Sequence, residues 1–221
     1  MKRIQLFEDF INETYPVNEI GEGSRPYSWK RVGNIKVDTW MGMLSLADRS
    51  KLDSNYHELP SIEYKFQSEN ASYIVKMACW YEKHTYINFG RKPGAAKPQD
   101  YNLTLVVSFD LEDREDNKLT NFGEQFRVLT TVTEITDIIV KEVSEIEWIK
   151  LQEIRIAPKM EDEEEGKPIA QTKRGRLYLE YIKKQGHRLP GDWTAYAEQE
   201  YFILKKGKLS SSTNPLKYIP L

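Results

Sequence analysis

Alternation of apolar and polar positions is clearest between residues 102 and 111. Leu103, Leu105, Val107, Phe109 and Leu111 occupy every second position there, which is typical of a strand that buries one face. Shorter runs rich in β-branched and aromatic residues, bounded by turn signals, predict further strands. These runs lie at 27–32, 34–40, 62–66, 73–80, 85–89, 148–157, 193–197 and 201–205.

Two later segments carry apolar residues at helical spacing. Residues 124–143 predict the main core helix, because apolar side chains recur along one of its faces. Residues 173–184 predict a shorter helix whose narrow apolar stripe is formed by Leu177, Tyr178, Tyr181 and Ile182. Strands followed by this change of period indicate an α+β protein rather than an all-β one.

A third helix is predicted at the N-terminus, over residues 2–14. Leu6, Phe7, Phe10 and Ile11 belong to its apolar stripe, and Pro16 ends it. An apolar stripe on a terminal helix packs either on its own domain or on a partner, so these four residues form a candidate docking surface.

The predicted fold class is therefore α+β, with a mostly antiparallel sheet, one long core helix, one shorter helix and an N-terminal amphipathic helix. We expect residues 1–15 to be a docking or targeting peptide and 16–26 a linker, because Gly21, Gly23 and Pro26 interrupt regular structure. Residues 27–206 are predicted to form a single domain, with an irregular connection at 41–60, and 207–221 a polar C-terminal tail.

Composition narrows the classes of protein that fit. A chain of 221 residues with one cysteine cannot form an intramolecular disulfide, and Cys79 lies in an apolar run, which favours a buried structural thiol. No apolar run is long enough to span a bilayer, so no membrane partner is expected. The net charge of −2 provides no global attraction to nucleic acid.

Contiguous catalytic and cofactor motifs are absent from the sequence. There is no glycine-rich phosphate loop, no serine-nucleophile motif and no pair of histidine or cysteine residues at ligand spacing, so no cofactor or metal is predicted. The acidic run 161–165 is interpreted as a solvated loop. Lys173, Arg174 and Arg176 could contact phosphate, but a charged outer helix face is the favoured interpretation, and nucleic acid is not the favoured partner.

From residue 103 onward, the predicted order of strand, long helix, strand, short helix with Leu177-Tyr178 and two strands is similar to the second half of the GNAT acyltransferase fold. In that family a glycine-rich loop before the long helix holds the coenzyme A pyrophosphate, and the tyrosine of the Leu-Tyr pair often serves as general acid. The resemblance implies that role for Tyr178. The corresponding loop here, 119–126, contains one glycine, a bulky Phe122 and the acidic Glu124, so the resemblance favours the topology more than the activity.

Other segments resemble proteins of tailed phages. The opening residues 1–13 resemble short N-terminal peptides of large tailed phages, some of which direct internal proteins into the prohead. Such peptides are trimmed after a Leu/Ile-x-Glu sequence, which Ile11-Asn12-Glu13 matches, and this implies processing at Ile11 and Glu13. Residues 126–132 and 176–178 are similar to a loosely defined class of small phage proteins of unknown activity.

The leading hypothesis from the sequence is a non-enzymatic tailed-phage protein, either a virion component or an assembly-associated cargo. Its partners would be other phage structural proteins or further copies of itself, first in the host cytoplasm and then in the virion. A GNAT-like acyltransferase or an inactive relative is the alternative. An inhibitor of host defence is a further one.

Overall fold

The computed structural model describes residues 25–47, 57–83, 101–112, 124–147, 149–158, 166–185, 193–207 and 217–219. Within them lie three α-helices, namely α1 (Val37–Ala47), α2 (Gln125–Ser144) and α3 (Lys173–Gln185). The strands are β1 (Trp29–Val32), β2 (His57–Gln67), β3 (Ser72–Lys83), β4 (Tyr101–Leu111), β5 (Ile149–Ile156), β6 (Trp193–Ala197), β7 (Phe202–Lys206) and β8 (Lys217–Ile219). A short 3-10 helix, Ile169–Gln171, precedes α3.

All eight described strands belong to one sheet in the order β1-β2-β3-β4-β5-β7-β6-β8. Strands β1 to β4 are antiparallel neighbours in chain order, and β5, β7, β6 and β8 are likewise antiparallel. Between these halves β4 and β5 run parallel, and the connection between them contains α2. Parallel neighbours need such a crossover, because a tight turn can only reverse the chain. The predicted α+β class with a mostly antiparallel sheet is confirmed.

The described helices pack together on one face of the sheet. Helix α2 contacts both α1 and β5, and Tyr181 of α3 donates a hydrogen bond to the Thr130 hydroxyl of α2 over 3.4 Å. On β4 the odd-numbered residues Tyr101 to Val107 are buried toward these helices, and the residues between them are partly exposed. At β4 the sheet therefore has an apolar face covered by helices and an opposite face that is partly exposed.

Helix α1 corrects two of the sequence predictions. Residues 34–40 are predicted as a strand and 41–60 as an irregular connection, whereas the chain is helical over Val37–Ala47 and β2 begins at His57. Val37, Trp40 and Leu44 are buried at spacings of three and four, which is the period of a helix. The indole of Trp40 donates to the Pro60 carbonyl over 2.7 Å, and this contact fixes α1 against β2.

The end of the chain corrects a third prediction. Residues 217–219 are not part of a tail, because they form β8 and pair with β6 in the register Tyr196 to Tyr218. Ile219 is buried there. The predicted N-terminal helix, the strand at 85–89 and the acidic run at 161–165 lie outside the described residues. None of the helices in the described part of the chain is both long and apolar enough to cross a membrane.

Candidate functional site

An apolar cleft lies between β4, β5, α2 and α3, with a volume of about 80 Å³. Apolar side chains from these four elements and from β7 line it, including Val107, Phe109, Leu129, Val132, Ile154, Tyr178 and Leu204. Thr133 and Ile156 at its margin are half-buried and Asp137 is exposed, so the cleft reaches the surface. A space this size holds several water molecules or a few methylene groups.

The cleft forms because β4 is longer than its parallel neighbour. Pairing between the two strands ends at Val107 and Ile156, and the amide of Ala157 then donates to the Val107 carbonyl over 3.0 Å. Strand β4 continues to Leu111 along β3. Beyond Val107, no strand among the described residues pairs with the β4 edge that faces β5. Side chains of α2 and α3 border the cleft that is left beside this edge.

Phe109 and Tyr178, which both border this cleft, belong to a stack of three aromatic rings. The ring of Tyr178 lies between those of Phe109 and Phe202, at centroid distances of 5.8 and 6.3 Å and interplanar angles of 9° and 14°. Tyr178 is 4% exposed. The structure thus places Tyr178, the tyrosine that the resemblance singled out, in an apolar and enclosed position. Its ring packs against two aromatic rings of the sheet and borders the cleft.

Glu124, the residue directly before α2, accepts hydrogen bonds from a cluster of polar side chains. Its carboxylate accepts hydrogen bonds from Ser68 Oγ at 2.5 Å, Tyr27 Oη at 3.1 Å, Tyr73 Oη at 3.3 Å and Asn70 Nδ2 at 3.4 Å. We call these five residues the Glu124 cluster. It ties the segment before β1 and the β2–β3 turn to the start of α2, and it holds a negative charge beside the helix N-terminus.

Burial and the Glu124 carboxylate together disfavour ionisation of Tyr27. Burial, followed by the charge of Glu124 and the hydrogen bond to it, raises the pKa of Tyr27 to about 12. The Arg127 guanidinium opposes this shift, and it lies 3.9 Å from the centroid of the Tyr27 ring. Even with that cation nearby, ionisation beside the Glu124 carboxylate is unfavourable.

The predicted phosphate-contacting residues lie at the start of α3. Lys173 and Arg174 are in its first turn, and Arg176 is exposed. The helix begins after Thr172, whose buried hydroxyl accepts a hydrogen bond from the Gly175 amide at 2.9 Å and donates to the Ile169 carbonyl at 2.9 Å. A side-chain cap therefore already occupies this helix N-terminus, which reduces its ability to bind an external anion.

Other predicted site residues fall outside the described part of the chain. They are the docking residues Leu6, Phe7, Phe10 and Ile11, and the processing residues Ile11 and Glu13. Within the described ranges, no group of three or more His, Cys, Asp and Glu side chains is placed to hold a metal ion. Cys79 is buried, and this burial raises the pKa of its thiol, as expected for a structural cysteine.

Sequence reasoning missed the cleft itself, because its lining comes from five separate elements. One signal was available on α2, where Leu129, Val132, Thr133 and Thr136 share a face that is less apolar than the rest of the core stripe. Comparisons of the chain with protein-family models, with curated proteins and with solved structures find no match.

Proposed function

We propose that the chain is a GNAT-like binding protein that holds an apolar acyl group in the cleft, without the diphosphate contact of an active acyltransferase. The carrier of that group would be an uncharged thioester arm such as pantetheine. The observation that carries the proposal is the cleft beside the end of the β4–β5 pair, with Tyr178 in its wall.

The order of elements supports the GNAT-like part of this proposal. From β4 to β7 the order is strand, long helix, strand, short helix, strand, strand, with a 3-10 helix before the short α-helix, and the resemblance rests on this order of strands and α-helices. In the family, the tyrosine of the Leu-Tyr pair often serves as general acid. Tyr178 borders the cleft here, so an acyl group placed there would lie beside the corresponding tyrosine.

The chemistry of the lining supports an acyl ligand rather than a polar one. The cleft is bordered mainly by aliphatic and aromatic side chains, with two threonine side chains and Asp137 at its margin. The Oγ of Thr136 is satisfied by the Val132 carbonyl at 2.8 Å. Burying methylene groups against such a surface contributes about 0.8 kcal/mol each, and the small volume limits the acyl group to a few carbons.

The residues at the start of α2 do not fit a diphosphate. The family places the coenzyme A pyrophosphate at the N-terminus of the long helix, where amide dipoles favour an anion. In this chain the Glu124 carboxylate lies at that helix end and already accepts four hydrogen bonds. A second anion there would be repelled at close range. We therefore derive no catalytic step through coenzyme A, and propose binding alone.

Calorimetric titration with acyl-pantetheines tests this proposal. We expect affinity to rise about fourfold for each methylene from acetyl to butyryl, and acetyl-coenzyme A to bind no more tightly than acetyl-pantetheine. Thr133→Phe should fill the cleft and abolish binding. Lys141→Phe is the matched control, because it places the same side chain at an exposed position of the same helix.

Glu124→Gln separates the two parts of the proposal. This substitution keeps a hydrogen-bond acceptor and removes the charge, so coenzyme A thioesters should gain affinity and pantetheine thioesters should not. Absence of binding by every acyl-pantetheine would overturn the acyl site. Turnover of acetyl-coenzyme A that is lost in Tyr178→Phe would instead establish an active acyltransferase and overturn the binding-only proposal.

A further inference from the structure

The hydroxyl groups of α2 differ in what they bind. Five Thr and Ser residues lie on this helix, and four of their hydroxyls donate to the carbonyl four residues earlier over 2.6 to 2.9 Å, namely those of Thr130, Thr131, Thr136 and Ser144. A hydroxyl within a helix can be satisfied in this way. Thr133 is the exception, since its hydroxyl makes no hydrogen bond within the described part of the chain.

Thr133 borders the apolar cleft and is half-buried at its margin. Leu129, one turn earlier on the same helix, and Val132 also border the cleft, and both are buried. The cleft therefore joins an apolar interior to a hydroxyl at its opening. A ligand that enters it meets aliphatic side chains and, at the margin, a hydrogen-bond donor.

An unbonded hydroxyl at this position selects among the ligands that fill the cleft. A ligand without an acceptor removes water from the hydroxyl and replaces it with nothing, which lowers affinity. A ligand with an acceptor at the margin keeps the hydroxyl bonded. Sites built around a hydrogen bond therefore reject an analogue that lacks the bonding atom more strongly than they distinguish apolar chains of different length.

Two other polar side chains at the margin are less suited to a carbonyl oxygen. The Thr136 hydroxyl already donates its proton to the Val132 carbonyl over 2.8 Å. Asp137 carries a carboxylate, which accepts hydrogen bonds when it is ionised and does not donate them. Thr133 can donate to a ligand without breaking a hydrogen bond to any described residue.

We propose that Thr133 recognises the acyl carbonyl, with its Oγ1 donating a hydrogen bond to the carbonyl oxygen of the thioester. This inference rests on the proposed acyl site. The carbonyl lies at the margin of the cleft, the alkyl chain lies inside against Leu129 and Val132, and the sulfur lies toward the opening. Thr133 thereby makes the cleft specific for acyl thioesters over thioethers of the same length.

Butyryl-pantetheine and S-butyl-pantetheine are the probes, because they have the same carbon chain and differ in the carbonyl oxygen. Calorimetric titration of the full chain should show tighter binding of the thioester. Thr133→Val replaces the hydroxyl by a methyl group of similar size, and we expect it to lower the ratio of thioester to thioether affinity about fivefold. Partial unfolding would weaken both ligands equally, so the ratio reports on the hydroxyl.

Two further variants separate the hydroxyl from other properties of the position. Thr133→Ser keeps the donor and should retain the wild-type ratio. Thr104→Val is the matched control, because Thr104 is also half-buried and its hydroxyl makes no hydrogen bond in the described ranges. It lies on β4 between the buried Leu103 and Leu105, so it points away from the helices and the cleft. This variant should also keep the wild-type ratio.

Infrared difference spectroscopy provides an independent measurement, because a hydrogen bond lowers the stretching frequency of a carbonyl. With butyryl-pantetheine that is isotope-labelled at the carbonyl carbon, the bound thioester should absorb at a lower frequency in the wild-type protein than in Thr133→Val. Equal frequencies in the two proteins would contradict the hydrogen bond.

The outcomes distinguish this inference from the acyl site on which it rests. Equal affinity of the wild-type protein for thioester and thioether, or an unchanged ratio in Thr133→Val, would overturn the role of Thr133 and leave the acyl site intact. An equal fall of the ratio in Thr104→Val would overturn that role as well. Absence of binding by both ligands would overturn the acyl site and this inference together.

Discussion

The Ser68 hydroxyl donates a hydrogen bond to the Glu124 carboxylate over 2.5 Å, and so joins the β2–β3 turn to the first residue before α2. The same hydroxyl accepts hydrogen bonds from the amides of Asn70 and Ala71 at 3.2 and 2.9 Å. The turn is therefore shaped around the side chain that binds the carboxylate. The Glu124 cluster consequently acts as a structural joint as well as an obstacle to phosphate.

Removal of the Glu124 carboxylate should destabilise the fold. In Glu124→Ala, the hydroxyls of Ser68, Tyr27 and Tyr73 lose a shared acceptor, and we expect a loss of about 1 to 3 kcal/mol in the free energy of unfolding. Urea denaturation measures it. Glu145→Ala, at the exposed C-terminal end of the same helix, should change stability by less than about 0.5 kcal/mol. Equal effects of the two substitutions would contradict a structural role for the cluster.

Tyr27 should make the fold sensitive to alkali. Its pKa is raised from 10.0 to about 12, so the native state keeps its proton where the unfolded state has lost it. The corresponding stabilisation is complete below pH 10 and is lost as pH rises through about 12, with a total on the order of 2 to 3 kcal/mol. Urea denaturation between these pH values should show stability falling less steeply in Tyr27→Phe. Parallel slopes in the two proteins would refute the assignment.

Two glycines in helices should respond to alanine in opposite directions. A Cβ at Gly175 would overlap the Ile169 carbonyl oxygen and approach Thr172 Oγ1, so Gly175→Ala should lose more than about 3 kcal/mol or displace the start of α3. Around Gly42 of α1 there is open space, and Gly42→Ala should gain about 0.5 to 1 kcal/mol. Thermal denaturation of both variants provides the comparison. A tolerated alanine at 175 would mean that the 3-10 helix and α3 are farther apart than described.

Cys79 should be unreactive in the native protein. Burial raises the pKa of its thiol, and only the thiolate attacks a disulfide reagent. We expect labelling by a chromogenic disulfide to be complete within seconds in denaturant and limited by unfolding in buffer. Because this is the single cysteine of the chain, the absorbance change reports on it alone. Rapid stoichiometric labelling of the folded protein would contradict the buried position.

The assembly hypothesis from the sequence concerns residues outside the described ranges and remains a prediction. If residues 1–15 target the protein to phage particles, their deletion should abolish incorporation while leaving the folded domain intact. If the full-length protein is cleaved after Glu13 in the particle, mass spectrometry of particles should show a new N-terminus at Thr14. Glu13→Ala should prevent this cleavage. Unchanged incorporation of the truncated protein would eliminate the targeting role.

The sequence predicted regular elements well where burial is periodic over many residues. The predicted helix at 124–143 corresponds to Gln125–Ser144, and the predicted strand at 102–111 to Tyr101–Leu111. It failed for α1, because the apolar residues at 35 and 37 also suit a strand, and only the burial of Trp40 and Leu44 decides between the two periods. It failed for β8, because a three-residue strand derives its stability from its partner β6.

The candidate sites were less accessible to prediction than the elements. Tyr178 and Glu124 were identified from a resemblance, but their environments depend on long-range contacts such as the Tyr178–Phe202 stack and the Tyr27–Glu124 bond. The pairing of Thr104 with Glu153 depends on a β-bulge at Gln152, which a single sequence does not reveal without knowledge of the pairing strand. The periodicity of apolar residues predicts single elements, but it does not show which residues of distant strands and helices come together.

The parallel pairing of β4 with β5 has a consequence for how the chain folds. Strands β2 and β3 are joined by a tight turn and can pair early, whereas β4 reaches β5 only after a crossover that contains the 20 residues of α2. Closing that larger loop costs chain entropy before its contacts form. We therefore expect the two antiparallel halves of the sheet to form first and their junction last, so that the apolar cleft is created in the final step of folding.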